Sequence, residues 1–265
     1  MSKVGDGGPF VLPPMPCSSR RQEFFRRNNR IMSTYATMIM YASTGQEADQ
    51  AKFAANQIND DTPMRISLGE HVIQTSYRMI KSAFPKARGQ LTNQAFLSVY
   101  GSFEAFLADL SQDAFSALGS QDPLQEVISL TATTKWDGKL DRIIQKFSLA
   151  LGHRRYIEAY KNIDMKICGR ATNDPIEALQ TMADFRHRLV HSAGRVDAKL
   201  LSDYPALGLA QGDLLQLPAG FPFTIHFFLV PLTDVLDKAF CDKFNWDRPI
   251  TPIEQLTDID LRARV

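Results

Sequence analysis

Between Pro85 and Gly119 lies the feature that most restricts what this chain can fold into. Phe96, Val99, Tyr100, Phe103, Phe106, Leu107 and Leu110 recur at spacings of three and four. That is the period of a helix with one buried face. The spacing predicts a helix over residues 90–118, about 43 Å long at about 1.5 Å of rise per residue. Gly119 is its expected terminator, and Pro85 and Gly89 its upstream limit. A rod of that length cannot cover its own apolar stripe, so the expected fold class is all-α, a helical bundle around one long core helix.

The flanking segments extend the pattern. Residues 20–43 carry Phe24, Phe25, Ile31, Tyr35, Met38 and Ile39 on a rough helical face, 46–59 suit a helix by composition, and 64–84 repeat the period with Ile66, Ile73, Tyr77 and Ile80. Further helices are expected at 123–131, 137–151 and 154–162. Asn173-Asp174-Pro175 is a start signal, a capping side chain followed by proline where its missing N–H costs nothing, for a helix ending at Gly194. Residues 204–222 read as loop. Phe223–Val230 alternates well enough for a short strand that Asp213–Leu217 can pair, so a small β element is expected near 213–230, with a helix over 231–242. The alternative is one helix over 223–240, kinked at Pro231. The expected organisation is a flexible tail at 1–19, an N-terminal helical extension at 20–85, a main domain at 86–243 and an irregular tail at 244–265.

Charge narrows the function classes. The formal net charge is only +1, so binding of nucleic acid by bulk electrostatics is excluded and any such contact needs local clusters. Three are visible: Arg20, Arg21, Arg26, Arg27 and Arg30; Arg154 and Arg155; and Arg186, Arg188 and Arg195. The first reads better as a solvated helix face or a partner contact than as an RNA patch. Cys17, Cys168 and Cys241 form no CxxC pair, which argues against a disulfide framework or a zinc site and for a reducing cytoplasm. The start of the chain does not read as a signal peptide, and Phe221–Leu232 is too short to span a bilayer.

The chemistry-bearing segment is Ala183-Asp-Phe-Arg-His-Arg-Leu-Val-His-Ser-Ala-Gly-Arg-Val-Asp197. On a helix, Arg186 and His191 stand roughly 140° apart, and His187 sits one turn before His191 on nearly the same face. Cleaving RNA without a metal requires deprotonating the 2′-hydroxyl, protonating the departing 5′-oxygen and stabilising charge on the phosphorane. Histidine moves protons near neutral pH, and the arginine fork matches phosphate oxygens. His187-x3-His191 makes a poor metal site: no third ligand is evident, and Arg188 stands where a zincin carries glutamate. No metal and no cofactor is expected.

Arg186, followed by the polar His187 and, after four residues, by His191, resembles the Arg-x4-6-His signature of HEPN ribonucleases. The continuation Val190-His191-Ser-Ala-Gly194-Arg-Val196-Asp197 is similar to the RiboL-PSP-type subgroup. Ala95-Phe-Leu-Ser-Val-Tyr-Gly-Ser-Phe-Glu104-Ala-Phe-Leu-Ala-Asp-Leu110 resembles that group's first long helix, with Glu104 as its acidic residue. The resemblance covers roughly residues 88–242. It implies a helical bundle that dimerises with two motif helices across one cleft, and metal-independent endonuclease activity leaving 2′,3′-cyclic phosphate ends. Arg186, His191, His187 and Glu104 are then the catalytic candidates, and Arg188, Arg195, Arg154 and Arg155 the RNA-binding ones. It further implies a bacterial toxin or antiphage effector, restrained by a neutralising partner protein. Two other readings stand beside it: a catalytically silent module of the same fold that binds nucleotides or proteins, and an unrelated helical enzyme using a metal.

Overall fold

The computed structural model describes residues 15–68, 71–132, 135–150, 165–167, 170–172 and 175–251. Seven α-helices appear among them: α1 (Ser19–Ala54), α2 (Tyr77–Ala117), α3 (Pro123–Thr131), α4 (Trp136–Phe147), α5 (Pro175–His191), α6 (Ala198–Asp203) and α7 (Phe221–Phe244). Strands are confined to three antiparallel pairs: β1 (Met15–Pro16) with β6 (Ile250–Thr251), β2 (Pro63–Leu68) with β3 (His71–Ser76), and β4 (Met165–Ile167) with β5 (Arg170–Thr172). The chain is therefore mostly helical around a long core helix, as the periodicity of residues 96–110 requires.

The spine is α2. Phe96, Val99, Tyr100, Phe103, Phe106, Leu107 and Leu110 are all buried on it. Aromatic rings lock the neighbouring helices against that face: Phe24 of α1 lies 5.6 Å from Phe106, Trp136 of α4 lies 5.6 Å from Phe103, and Phe221 of α7 lies 5.3 Å from Phe96. Phe185 of α5 closes the set, 5.8 Å from Phe221. After Ala117 the chain turns through Gly119 at φ +79°, where the Gly119 and Ser120 amides donate back to the Ser116 and Phe115 carbonyls. This paired bond pattern satisfies the last carbonyls and needs the left-handed conformation glycine adopts freely.

Four expectations are corrected. Residues 20–43 and 46–54 are one helix, because nothing at 44–45 removes a backbone donor, and it ends at Ala54, short of the expected residue 59. The proposed helix over 64–84 is instead the β2–β3 hairpin followed by the first turns of α2, capped by the Ser76 hydroxyl on Met79 N–H. Ile66 and Ile73, seven apart, suit one helix face but equally suit facing positions in a hairpin, where the structure pairs them. Pro85 and Gly89 do not limit α2, which runs through both. Gly89 instead permits close packing: a Cβ there would lie 3.1 Å from the Gln216 side chain. Finally, Phe223–Val230 is helix, not strand. Phe221, Ile225, Phe228, Leu229, Leu232 and Leu236 make the buried face of α7, which continues through Pro231, and the β contact nearby is one bridge between Arg195 and Leu214. A short apolar run does not separate a buried strand from a buried helix by period alone.

The expected division at 19/20 and 85/86 does not mark structural breaks. Cys17, Phe24, Phe25, Met32 and Tyr35 belong to the same core as α2 and α7. The start and end of the described chain are clamped to α7 by a buried charge network. Asp237, fully buried, accepts from Ser18 N–H at 3.1 Å, from the Ser18 hydroxyl and from Arg248 Nε at 2.9 Å. Arg21, also buried, pairs with Asp234, which Arg248 reaches at 2.7 Å. The expected helix at 154–162 and the cap at Asn173-Asp174 lie outside the described residues. Among those described, no helix is long and apolar enough to cross a membrane.

Candidate active site

Three helices meet where the motif sits. The buried face of α5 is set by Ala178, Leu179, Met182 and Phe185, all at 1% exposure or less, which fixes the helix's rotation against α2. That rotation puts Arg186 at the edge facing α2 and turns His187 and His191 outward, where both are exposed. Arg186 Nε lies 3.8 Å from Glu104 Oε2, joining the two helices. The His187 and His191 rings stand 4.8 Å apart at an interplanar angle of 43°. Val190, half exposed, lies on the helix surface between Arg186 and the two imidazoles.

The helix ends just beyond. Gly194, with φ +73°, donates to the Arg188 carbonyl, and its own carbonyl accepts from Leu215 N–H at 2.7 Å. The two arginines expected to bind RNA on this stretch both have partners within the fold. Arg188 pairs with Asp197, which also caps α6 by accepting from Leu200 N–H at 2.8 Å, and Arg195 donates to the Gly212 carbonyl at 3.1 Å. They brace the turn after the motif. Arg195 is exposed and Arg188 half-buried. Arg154 and Arg155 lie outside the described residues.

Sequence reasoning missed a further charged group, Lys139. Its ammonium rests 4.6 Å above the ring of Trp136, itself buried with its indole N–H donating to the Tyr100 hydroxyl at 2.7 Å. Burial pushes the Lys139 ammonium below its ordinary pKa; the Glu104 carboxylate opposes that shift and the Arg186 guanidinium adds to it. Tyr100, one turn before Glu104, has its phenol held protonated by burial and by the Glu104 charge. The available sequence signal was Trp136-x2-Lys139 at helical spacing, which by itself specifies nothing.

A second layer holds α5 in place. Gln180 accepts from Trp136 N–H at 3.1 Å and donates to Asp184 at 3.0 Å, and the Tyr204 hydroxyl donates to the same carboxylate at 3.0 Å. Burial and Asp184 together push the Tyr204 phenol up to about 12. Among the described residues, no group of three or more His, Cys, Asp or Glu side chains is placed to hold a metal. The Arg20–Arg30 cluster is largely occupied: Arg20 is bidentate to Asp113 at 2.6 and 2.7 Å, Arg21 is buried, and Arg27 lies 3.5 Å from Glu23. His226 is half-buried with Nδ1 unpartnered.

No family model, curated protein or solved structure matches this chain.

Proposed function

We propose that the protein is a metal-independent endoribonuclease of the HEPN kind, cleaving RNA by attack of the 2′-hydroxyl on the adjoining phosphate. The observation that carries this reading is the contact of Arg186 with Glu104 across α5 and α2, beside an exposed pair of imidazoles, His187 next to Arg186 and His191 one turn beyond it. The carboxylate orients a permanently charged guanidinium fork without burying it, so the fork stays open to a phosphate. His191 moves the proton of the 2′-hydroxyl or of the departing 5′-oxygen, and His187 supports it. The tie from Trp136 through Gln180 and Asp184 to Tyr204 keeps α5 rigid, as positioned chemistry needs.

A single chain presents one such set on an open surface. A homodimer apposing two α5 helices gives a closed cleft with two copies of His191, one as base and one as acid, and covers the exposed Val190. A toxin or antiphage effector in a bacterial cytoplasm, restrained by a neutralising partner protein, is the biological setting that goes with this activity. The test is cleavage of single-stranded RNA by purified protein in EDTA. Wild type should cut and His191→Ala should not. Activity that disappears with chelator, or that survives in the mutant, would refute the reading.

A further inference from the structure

Beside the end of the motif helix lies a cleft of about 280 Å³ between α2, the turn at Ala193–Gly194 and the segment 214–216. We infer that this cleft is a nucleobase-binding subsite that gives the enzyme its base preference. The inference rests on the ribonuclease reading for its place in catalysis, but not for its chemistry.

Location comes first. Leu189, one turn beyond Arg186, lines the cleft, and so does Leu97, two turns before Glu104 on the same face of α2. The cleft therefore begins about 10 Å along the α2–α5 groove from the Arg186–Glu104 contact, at about 1.5 Å per helical residue. A strand whose phosphate sits at Arg186 and His191 brings the base of a neighbouring nucleotide there. Size comes second. Small-molecule pockets start near roughly 300 Å³, so this one takes a flat ring system rather than a longer ligand.

The lining sets the class. Leucine side chains supply an apolar floor for a ring, while Gln90, Gln94 and Gln216 supply carboxamides at the rim. Each carboxamide offers both a donor and an acceptor, the combination that reads base edges in unstacked RNA. Among the described residues of the lining, Lys86 is the only ionisable side chain, so a multiply charged small anion is poorly matched, whereas an uncharged base with one phosphate near the mouth is well matched. The wall is also fixed in advance. Asn93 donates to the Leu215 carbonyl at 2.7 Å and accepts from Leu217 N–H at 3.2 Å, and Leu215 N–H donates to the Gly194 carbonyl. The same hydrogen bonds thus hold the cleft and the end of the motif helix.

The experiment uses the full chain carrying His191→Ala and four labelled homo-oligoribonucleotides with 2′-O-methyl sugars, with Kd read by fluorescence anisotropy. At least one base should bind about fivefold tighter than another, the effect of roughly one net hydrogen bond. Adding Gln94→Leu and Gln216→Leu, both at exposed positions, should bring the preference below about twofold with Tm lowered by no more than about 4 °C, since Gln216 packs against Gly89. Equal affinities for all four, or a preference that survives both substitutions, would overturn the inference. Wild-type cleavage is scored in parallel. RNA left uncut with base selectivity present defeats the nuclease reading and keeps the base site. RNA cut in the absence of a preference governed by these glutamines does the reverse.

Discussion

Replacing Glu104 by Gln separates a positioning carboxylate from a structural one. The charge pair spans 3.8 Å, with side-chain exposures of 41% for Arg186 and 33% for Glu104. Two unit charges at that distance attract by about 1 kcal/mol in water and by about 4 kcal/mol at the effective dielectric of a protein surface. Exposure of both partners, ionic screening and side-chain entropy bring the net contribution to stability below about 1 kcal/mol. Tm should therefore fall by no more than about 4 °C. Catalysis should respond far more strongly. On the proposed ribonuclease reading, loss of the carboxylate frees the guanidinium to leave the place where it would meet a phosphate, and misplacement by about 1 Å can cost about a hundredfold. The expected outcome is a 10- to 100-fold drop in the single-turnover rate on RNA, of the order that misplacement allows, with near-native melting. A rate within about twofold of wild type would refute the positioning role. A loss of about 3 kcal/mol or more in denaturant titrations would show that Glu104 holds the fold instead.

Arg248→Met leaves fully buried Asp237 without its guanidinium, which should cost about 3 kcal/mol and lower Tm by about 10 °C in a thermal melt; a shift below about 2 °C would contradict the buried-pair account. Tyr204 carries a folded-state pKa pushed up to about 12. The folded protein therefore keeps that proton when the unfolded chain has released it, and the associated stability, present below about pH 10, is lost as pH rises towards 12. Phenolate absorbance and melting measured across that window should show it, and Tyr204→Phe should remove it. His226 has the opposite sign. Burial lowers its pKa, so the stability it contributes is full above about pH 6.5 and declines as pH falls below that value, and His226→Gln should flatten the slope in melts from pH 7 to 5. The Cys17 and Cys241 thiols, buried and with their pKa values raised, should resist iodoacetamide at pH 8 until the protein is unfolded, as peptide mapping will report.

The legible parts of the sequence were those where a single period decides the outcome. The stripe from Phe96 to Leu110 specifies α2 because seven large side chains at spacings of three and four fit no other regular element. The end of α5 at His191, just before Gly194, was legible because glycine acts locally. The illegible parts depend on partners distant in sequence. Ile66 and Ile73 become strand residues through pairing, and Phe223–Val230 becomes helix because Ile225, Phe228 and Leu229, at helical spacing, are buried in the core. The terminal segments belong to the core through Asp237, whose partners Ser18 and Arg248 no local pattern connects. The site divides the same way. Arg186, His187 and His191 share one helix and became candidates through the motif's resemblance to a family signature, as did Glu104 on α2, since spacing alone does not single them out. Lys139 enters through Trp136 on a third helix, and Arg188 is engaged by Asp197, which lies beyond the turn.

The most direct test uses a DNA oligonucleotide carrying a single ribonucleotide, incubated with wild-type protein in EDTA. If Arg186 and His191 serve attack by a 2′-hydroxyl, the strand breaks only 3′ to the ribose, the 5′ fragment ends in a 2′,3′-cyclic phosphate, and both Arg186→Ala and His191→Ala leave it whole. Cutting of the all-deoxy strand, or a product lacking the cyclic phosphate, would contradict that chemistry at its root.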